Sequence, residues 1–402
     1  MTQRELSFDG CTAAYVSRIE AGARVPSLQI LHEFAKRLGV TPEYLATGRP
    51  RGDDLSSDLL EAEVALSLGE ETRAAELYEA ALAEADSPAA LARVQLGLGR
   101  LATRRGDTSQ AISLLEGALD SGELALGDAS AAANALGRMY AAQSRFDEAF
   151  ALFERFFTEA QKRGDPFDQV RFGLLLANAY VDHGDYGRAY AALGEVVDLA
   201  RQTVDPMLRA GLYWSQSRVH LEQGEPGLAA EYAQLAIATL KASEQTVAAA
   251  GALLMLAYIE NDRGNPRAAL DLIEEGEPIV IASGDETNAA MFTVERARAL
   301  SALGEGPQAV SLLLGVVPRL NAAAPRDAAR AYSAAADVFR RHGEIPRALE
   351  LYELAAEQAP APSRHKAEAL AAMAEIYEEQ GEAELALEFL KRALAARTST
   401  AA

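Results

Sequence analysis

The side chains with the most chemical potential in this 402-residue sequence recur at a regular interval. Arg100, Arg138, Asn178, Arg218, Tyr258 and Arg298 follow one another at steps of 38, 40, 40, 40 and 40 residues. A guanidinium presents a planar fork of donors that matches a carboxylate, and a primary amide pairs with peptide backbone groups. Such a row suits binding rather than bond-making. Its alternative use is internal, each arginine pairing with an acidic neighbour one interval away. Catalytic signatures are weak by comparison. Gly97-Leu98-Gly99-Arg100-Leu101-Ala102 formally fits a dinucleotide G-x-G-x-x-A string but follows no strand. The sequence has no Walker A loop, no His-Glu-x-x-His and no Gly-x-Ser-x-Gly, and His32, His183, His220, His342 and His365 are scattered. Acidic pairs such as Glu274-Glu275 and Glu378-Glu379 read as solvated helix faces. Neither an enzyme nor a metal or cofactor site is expected.

Composition bounds the elements that carry this row. The chain is 49% hydrophobic but only 6% aromatic, and it is rich in Ala, Leu, Glu and Arg. These are helix formers, while strand-favouring residues are thin, so an all-α fold is expected. No apolar run reaches the roughly 18 residues of a spanning helix. With no secretion signal and a single cysteine, Cys11, the expected location is the cytoplasm and no internal disulfide can form. The excess of Arg over Lys suggests a bacterial, GC-rich coding sequence. Net charge is −21, which taken whole argues against nucleic acid. Residues 1–50 depart from that average: six basic and five acidic side chains give about +1, leaving about −22 for the rest.

One register explains most of the remainder. A turn residue is followed five positions later by alanine nine times: Gly69, Gly106, Ser144, Gly184, Gly224, Gly264, Gly304, Gly343 and Gly381 precede Ala74, Ala111, Ala149, Ala189, Ala229, Ala269, Ala309, Ala348 and Ala386. Seven residues before each turn the side chain is small: Ala62, Gly99, Gly137, Ala177, Ser217, Ala257, Ala297, Ala336 and Ala374. The reading is a helical hairpin repeated about nine times. The turn glycine supplies a left-handed helix end, and Asp, Asn, Glu or Pro opens the second helix. Small residues allow close approach of the pair. Tyr78, Leu115, Phe153, Leu193, Ile273, Leu313, Tyr352 and Leu390, nine beyond the turn, are expected to pack between hairpins.

This pattern resembles the tetratricopeptide repeat (TPR), with a period near 39 residues in place of 34. The resemblance implies an α-solenoid over 56–397, whose first helices line a concave surface. The position six before each turn would face it, which places Arg100, Arg138, Asn178, Arg218, Tyr258 and Arg298 there. Asn134 and Trp214, ten before their turns, and Arg171, thirteen before, would join them in a groove for a peptide or protein.

The first residues read differently. Thr2 caps a helix start, Gly10-Cys11 turns, Thr12 opens a helix from Ala13 to about Glu20 with Val16 and Ile19 inward, and Pro26-Ser27 opens a third with Leu28, Leu31, Phe34, Ala35 and Leu38 on one face. Thr41-Pro42-Glu43-Tyr44-Leu45 begins a fourth. The landmarks Ser17–Gly22, Pro26–Leu28 and Leu38–Val40 resemble the Cro/phage-repressor-type (XRE) helix-turn-helix. By that resemblance Ala13, Ala14, Tyr15, Ser17 and Arg18 would face double-stranded DNA, with Gln3, Thr12 and Arg24 as phosphate contacts. The helix that precedes Thr-Gln-x-x-Leu in the family is missing, which would deprive Leu6, Val16 and Leu31 of a packing partner, so the true start is expected upstream of Met1. Cys11 is expected to be structural.

The expected organisation is therefore a head at 1–48, a linker at 49–55, a solenoid at 56–397 and a disordered tail at 398–402. This architecture resembles the RRNPP group of peptide-responsive regulators. It implies a one-component transcriptional regulator, a homodimer because this head type reads paired half-sites, with no membrane partner. The alternative is a protein–protein adaptor with a vestigial head.

Overall fold

The computed structural model describes residues 2–8, 11–20, 28–40, 44–45, 57–359 and 364–398. The expected linker 49–55 lies outside them, as does 399–402 of the expected tail; helix runs through Thr398. All regular structure among the described residues is helical, apart from one isolated antiparallel bridge between Phe8 and Cys11. Two compact units divide near Met139.

Unit 1 begins with three short helices: α1 (Gln3–Leu6), α2 (Ala13–Glu20) and α3 (Leu28–Leu38). Thr2 and Glu5 form a reciprocal capping box, satisfying two donors that the helix start would leave bare. Leu6, Cys11, Val16 and Phe34 make the core, with Phe8, Tyr15, Ile19, Ile30 and Leu45 packed partly against it. Leu6, Val16 and Leu31 are buried, contrary to the expectation that they lack a partner. Leu38, expected inward, is exposed at the end of α3 beside Gly39. Then follow α4 (Ser57–Ser67), α5 (Glu71–Glu84), α6 (Pro88–Arg105), α7 (Thr108–Asp120) and α8 (Leu126–Ala142), which runs past the boundary.

Unit 2 holds α9 (Phe146–Arg163), α10 (Pro166–His183), α11 (Tyr186–Gln202), α12 (Pro206–Glu222), α13 (Pro226–Ala242), α14 (Thr246–Asp262), α15 (Pro266–Ser283), α16 (Glu286–Ala302), α17 (Gly306–Val316), α18 (Pro325–Arg341), α19 (Ile345–Gln358), α20 (Arg364–Glu379) and α21 (Ala383–Thr398). A short 3₁₀ turn, Val317–Ala322, carries Pro318 after α17.

The repeat register is the fold. All nine turn residues have positive φ, from 60° at Ser144 to 92° at Gly184. The alanines five later are buried in every repeat, and so are the small residues seven before. Where that small residue is Ser217, its hydroxyl donates to the Ala229 carbonyl at 2.8 Å, which removes the cost of burying it. Asp107, Asp165, Asp185, Asp205 and Asp285 accept first-turn N–H bonds at helix starts. Most helices from α9 to α16 run 17 or 18 residues, so the period exceeds 34 because the helices are longer. Leu390 departs from its register column. It is exposed while Phe389 is buried.

Candidate functional site

In the head, Thr12 precedes α2 and its hydroxyl accepts the Tyr15 N–H at 3.3 Å. Ala13 and Ser17 are half-buried on α2, while Tyr15 packs partly into the core. Gln3 donates to Glu20 at 2.6 Å, so its amide is engaged within the head. Arg37 donates to the Ser7 carbonyl at 3.0 Å and lies over the Phe8 ring. Arg24 lies outside the described residues, and Ala14 and Arg18 are described in backbone only.

The glycine string belongs to packing. It sits inside α6, where a Cβ on Gly97 would stand 2.2 Å from the Tyr78 ring and one on Gly99 3.0 Å from Leu115. In unit 1, Arg100 pairs with the buried Asp128 at 3.4 Å. The Asn134 carbonyl oxygen is buried with no hydrogen-bond partner among the described residues. Arg138 is exposed and meets no acid among them.

In unit 2 the predicted row is largely engaged from within. Arg218 bonds the Asn178 amide oxygen at 2.9 Å and pairs with Asp182. The Asn178 amide nitrogen in turn donates to Ser215 at 3.0 Å and to the Leu174 carbonyl. Arg298 bridges Asp262 at 2.6 Å and Glu295 at 2.9 Å. Two of these pairs follow one rule: an acid two before a turn meets the arginine six before the next turn. Between them the rule breaks, because the corresponding position holds Tyr258, which leaves Glu222 without that partner. Arg171 turns to Asp168 on its own helix, at 3.1 Å, and covers the Phe167 ring. Trp214 packs partly against the apolar core.

Glu222 is claimed from across the solenoid. Arg326, in the first turn of α18, pairs with Glu222 and with Asp182 and donates to the Val181 carbonyl. Tyr186 donates its hydroxyl to Glu222 at 3.0 Å, and His365 stands 3.7 Å away. Arg364, opening α20, donates to the Leu221 carbonyl at 3.2 Å. Arg326 and Arg364 occupy the same register position, seventeen before their turns. Each meets a carbonyl three before the turn of a hairpin four repeats earlier. The late hairpins thus close over the middle ones, and a guanidinium at a helix C-terminus is favoured by the partial negative charge there. Burial opposes ionisation of Glu222, but Arg326 and the hydrogen bonds of His365 and Tyr186 hold its carboxyl well below the usual range.

Beside this closure lies a cavity of about 470 Å³, walled by α14, α16, α18, α19 and α20 and including Tyr258, Arg298, Arg330, Ser333, Asp337 and Arg364. Sequence reading identified Tyr258 and Arg298, and the position six before the turn also places Asp337 in their column, but it missed Arg330, Ser333 and Arg364. The signal was present: Ser333 and Arg330 stand ten and thirteen before their turn, the columns of Asn134 and Arg171. Among the described residues no group of three or more His, Cys, Asp or Glu could hold a metal ion, and no helix is long and apolar enough to cross a membrane.

A helix-turn-helix family model matches residues 1–45, and tetratricopeptide-repeat models match residues 96–164, 174–245 and 369–400. No curated protein matches the sequence. Among solved structures the chain is similar to a Rap protein complexed with competence and sporulation factor, at 15% identity and TM-score 0.60, covering 85% of this chain and 95% of that one. It is similar to the apo quorum sensor NprR from B. thuringiensis, at 13% identity and TM-score 0.56, covering 85% and 99%. The Rap conjugation gene regulator of plasmid pLS20, in complex with the Phr* peptide, matches at 15% identity and TM-score 0.50, covering 96% and 93%. At these identities the likeness establishes the fold. The chain joins an XRE-type helix-turn-helix to tetratricopeptide repeats.

Proposed function

We propose that this protein is a one-component transcriptional regulator, with DNA bound by residues 1–48 and a regulatory peptide or protein bound by the solenoid. The observation that carries this reading is the pairing of a helix-turn-helix with a TPR body in one chain. The solved neighbours include a Rap protein with a signalling factor and a conjugation regulator with a peptide. Two heads on a dimer would read paired half-sites, and ligand in the solenoid would shift their placement. Arg138, exposed and without an acid among the described residues, is the groove cation best placed to take a ligand carboxylate in unit 1.

The test is fluorescence anisotropy against DNA from upstream of its own gene, repeated over a salt series. Specific binding whose logarithm falls linearly with log salt, and which weakens in Arg18→Ala and Arg24→Ala, supports the regulator. The second reading, an adaptor with a vestigial head, is favoured by the engagement of Gln3 with Glu20 and of Arg37 with the Ser7 carbonyl. Binding no stronger than to random DNA would transfer the function to it.

A further inference from the structure

The cavity beside the closure is lined by hydrogen-bond donors that lack acceptors. The Arg330 side chain is only 17% exposed, yet it makes no hydrogen bond among the described residues. Its one acid is Asp327, half-exposed and 3.7 Å away, and its plane rests 4.5 Å from the centre of the Tyr258 ring. One helical turn on, the Ser333 hydroxyl oxygen is inaccessible and unpartnered. The Tyr258 hydroxyl also has no partner among the described residues. A buried donor left unpaired costs about 1–3 kcal/mol, and the Ser333 hydroxyl is such a donor, while Arg330 and Tyr258 face the cavity without a hydrogen-bond partner.

The acids of the same wall are already committed. Asp262 holds Arg298, Asp337 accepts the Tyr352 hydroxyl, and Glu368 holds Arg364 at 2.6 Å. The chemistry left without a hydrogen-bond acceptor at the cavity surface is the Arg330 fork and the Tyr258 hydroxyl. That set matches a planar monoanion, since a phosphate dianion would face three wall carboxylates with one cation held only by a half-exposed acid. The volume lies within the roughly 300–1,000 Å³ of small-molecule sites. Leu221, Pro226, Ala334, Ala369 and Ala372 give the rest of the ligand apolar contact.

We propose that this cavity binds a carboxylate, received by the Arg330 fork with the Tyr258 hydroxyl donating to it. The assignment deepens the reading of the solenoid as a ligand-binding body and rests on it. The carboxylate belongs either to the C-terminus of a peptide or to a free small acid.

Calorimetric titration and thermal shift of the full chain test it with three probes. These are a pool of N-acetylated tetrapeptide acids, the same pool amidated at the C-terminus, and a pool of N-acetyl amino acids. Acids are expected to bind and raise Tm. Amidation, or Arg330→Met or Tyr258→Phe with the acids, should weaken binding by roughly tenfold or more, as loss of a charge-assisted pair does. Binding of the N-acetyl amino acids assigns a small acid, and binding of the tetrapeptides alone assigns a peptide terminus. Equal binding of acids and amides overturns the carboxylate site while sparing the peptide-binding solenoid. No binding of any pool overturns the site, and the DNA titration then judges the regulator reading separately. Arg330→Met without probe is a second readout: its one acid is half-exposed and 3.7 Å away, so removing the cation should leave Tm nearly unchanged. A clear fall would show a structural role and overturn the assignment.

Discussion

At the scale of single residues, Glu222 shows how a repeat rule broken once creates a tertiary contact. Where the ladder of acids and arginines would supply a cation, the chain has Tyr258, and the freed carboxylate is taken by Arg326 from three repeats away. Its ionised form is favoured in the fold, so its contribution is complete above the ordinary value of 4.5 and fades as acid titrates it through its lowered folded value. Glu222→Gln is therefore expected to cost roughly 3 kcal/mol at neutral pH, the scale of a broken buried pair. Calorimetric unfolding across pH should show a constant gap to the parent above pH about 5 that narrows toward pH 3. A gap that widens with acid would contradict the assignment.

At the scale of elements, helix ends carry the repeat. Asp165 accepts the N–H groups of Phe167 and Asp168 ahead of Pro166, and Asp165→Ala should lower stability by about 1 kcal/mol. The turn geometry can also be improved. Glu244 sits at φ 58° between α13 and α14, a conformation that L side chains adopt at a cost. Glu244→Gly is expected to raise stability by roughly 0.5–1 kcal/mol, and Gly184→Ala, at φ 92°, to lower it by about 1 kcal/mol. Urea midpoints of the two variants should move in opposite directions.

At the scale of the whole molecule, α21 exposes Leu387, Leu390 and Leu394 at 54%, 49% and 64%, a stripe at helical spacing. An apolar helix face is stabilised by burial, so if the proposed dimer forms, this stripe is the surface expected to meet the second copy. Leu390→Glu with Leu394→Glu should halve the mass measured by light scattering and weaken operator binding. An unchanged mass would place any dimer contact elsewhere.

The sequence by itself determined the helices, the turns and the register. Each of these depends on residues within about 40 positions: a glycine able to take positive φ, an alanine five later, a small side chain seven before. The same local logic made the arginine row visible. Which of those arginines stay open to a ligand was decided only by tertiary structure. Arg218 and Arg298 are engaged by acids one repeat away, a choice legible as an alternative but not resolvable from types alone. The closure that joins Arg326 to Val181 spans 145 residues, and it depends on the accumulated rotation of four hairpins. No window of sequence contains that rotation, because it is the sum of many small packing angles. For that reason Arg330, an ordinary member of its register column, came to line a cavity and finds no hydrogen-bond acceptor among the described residues.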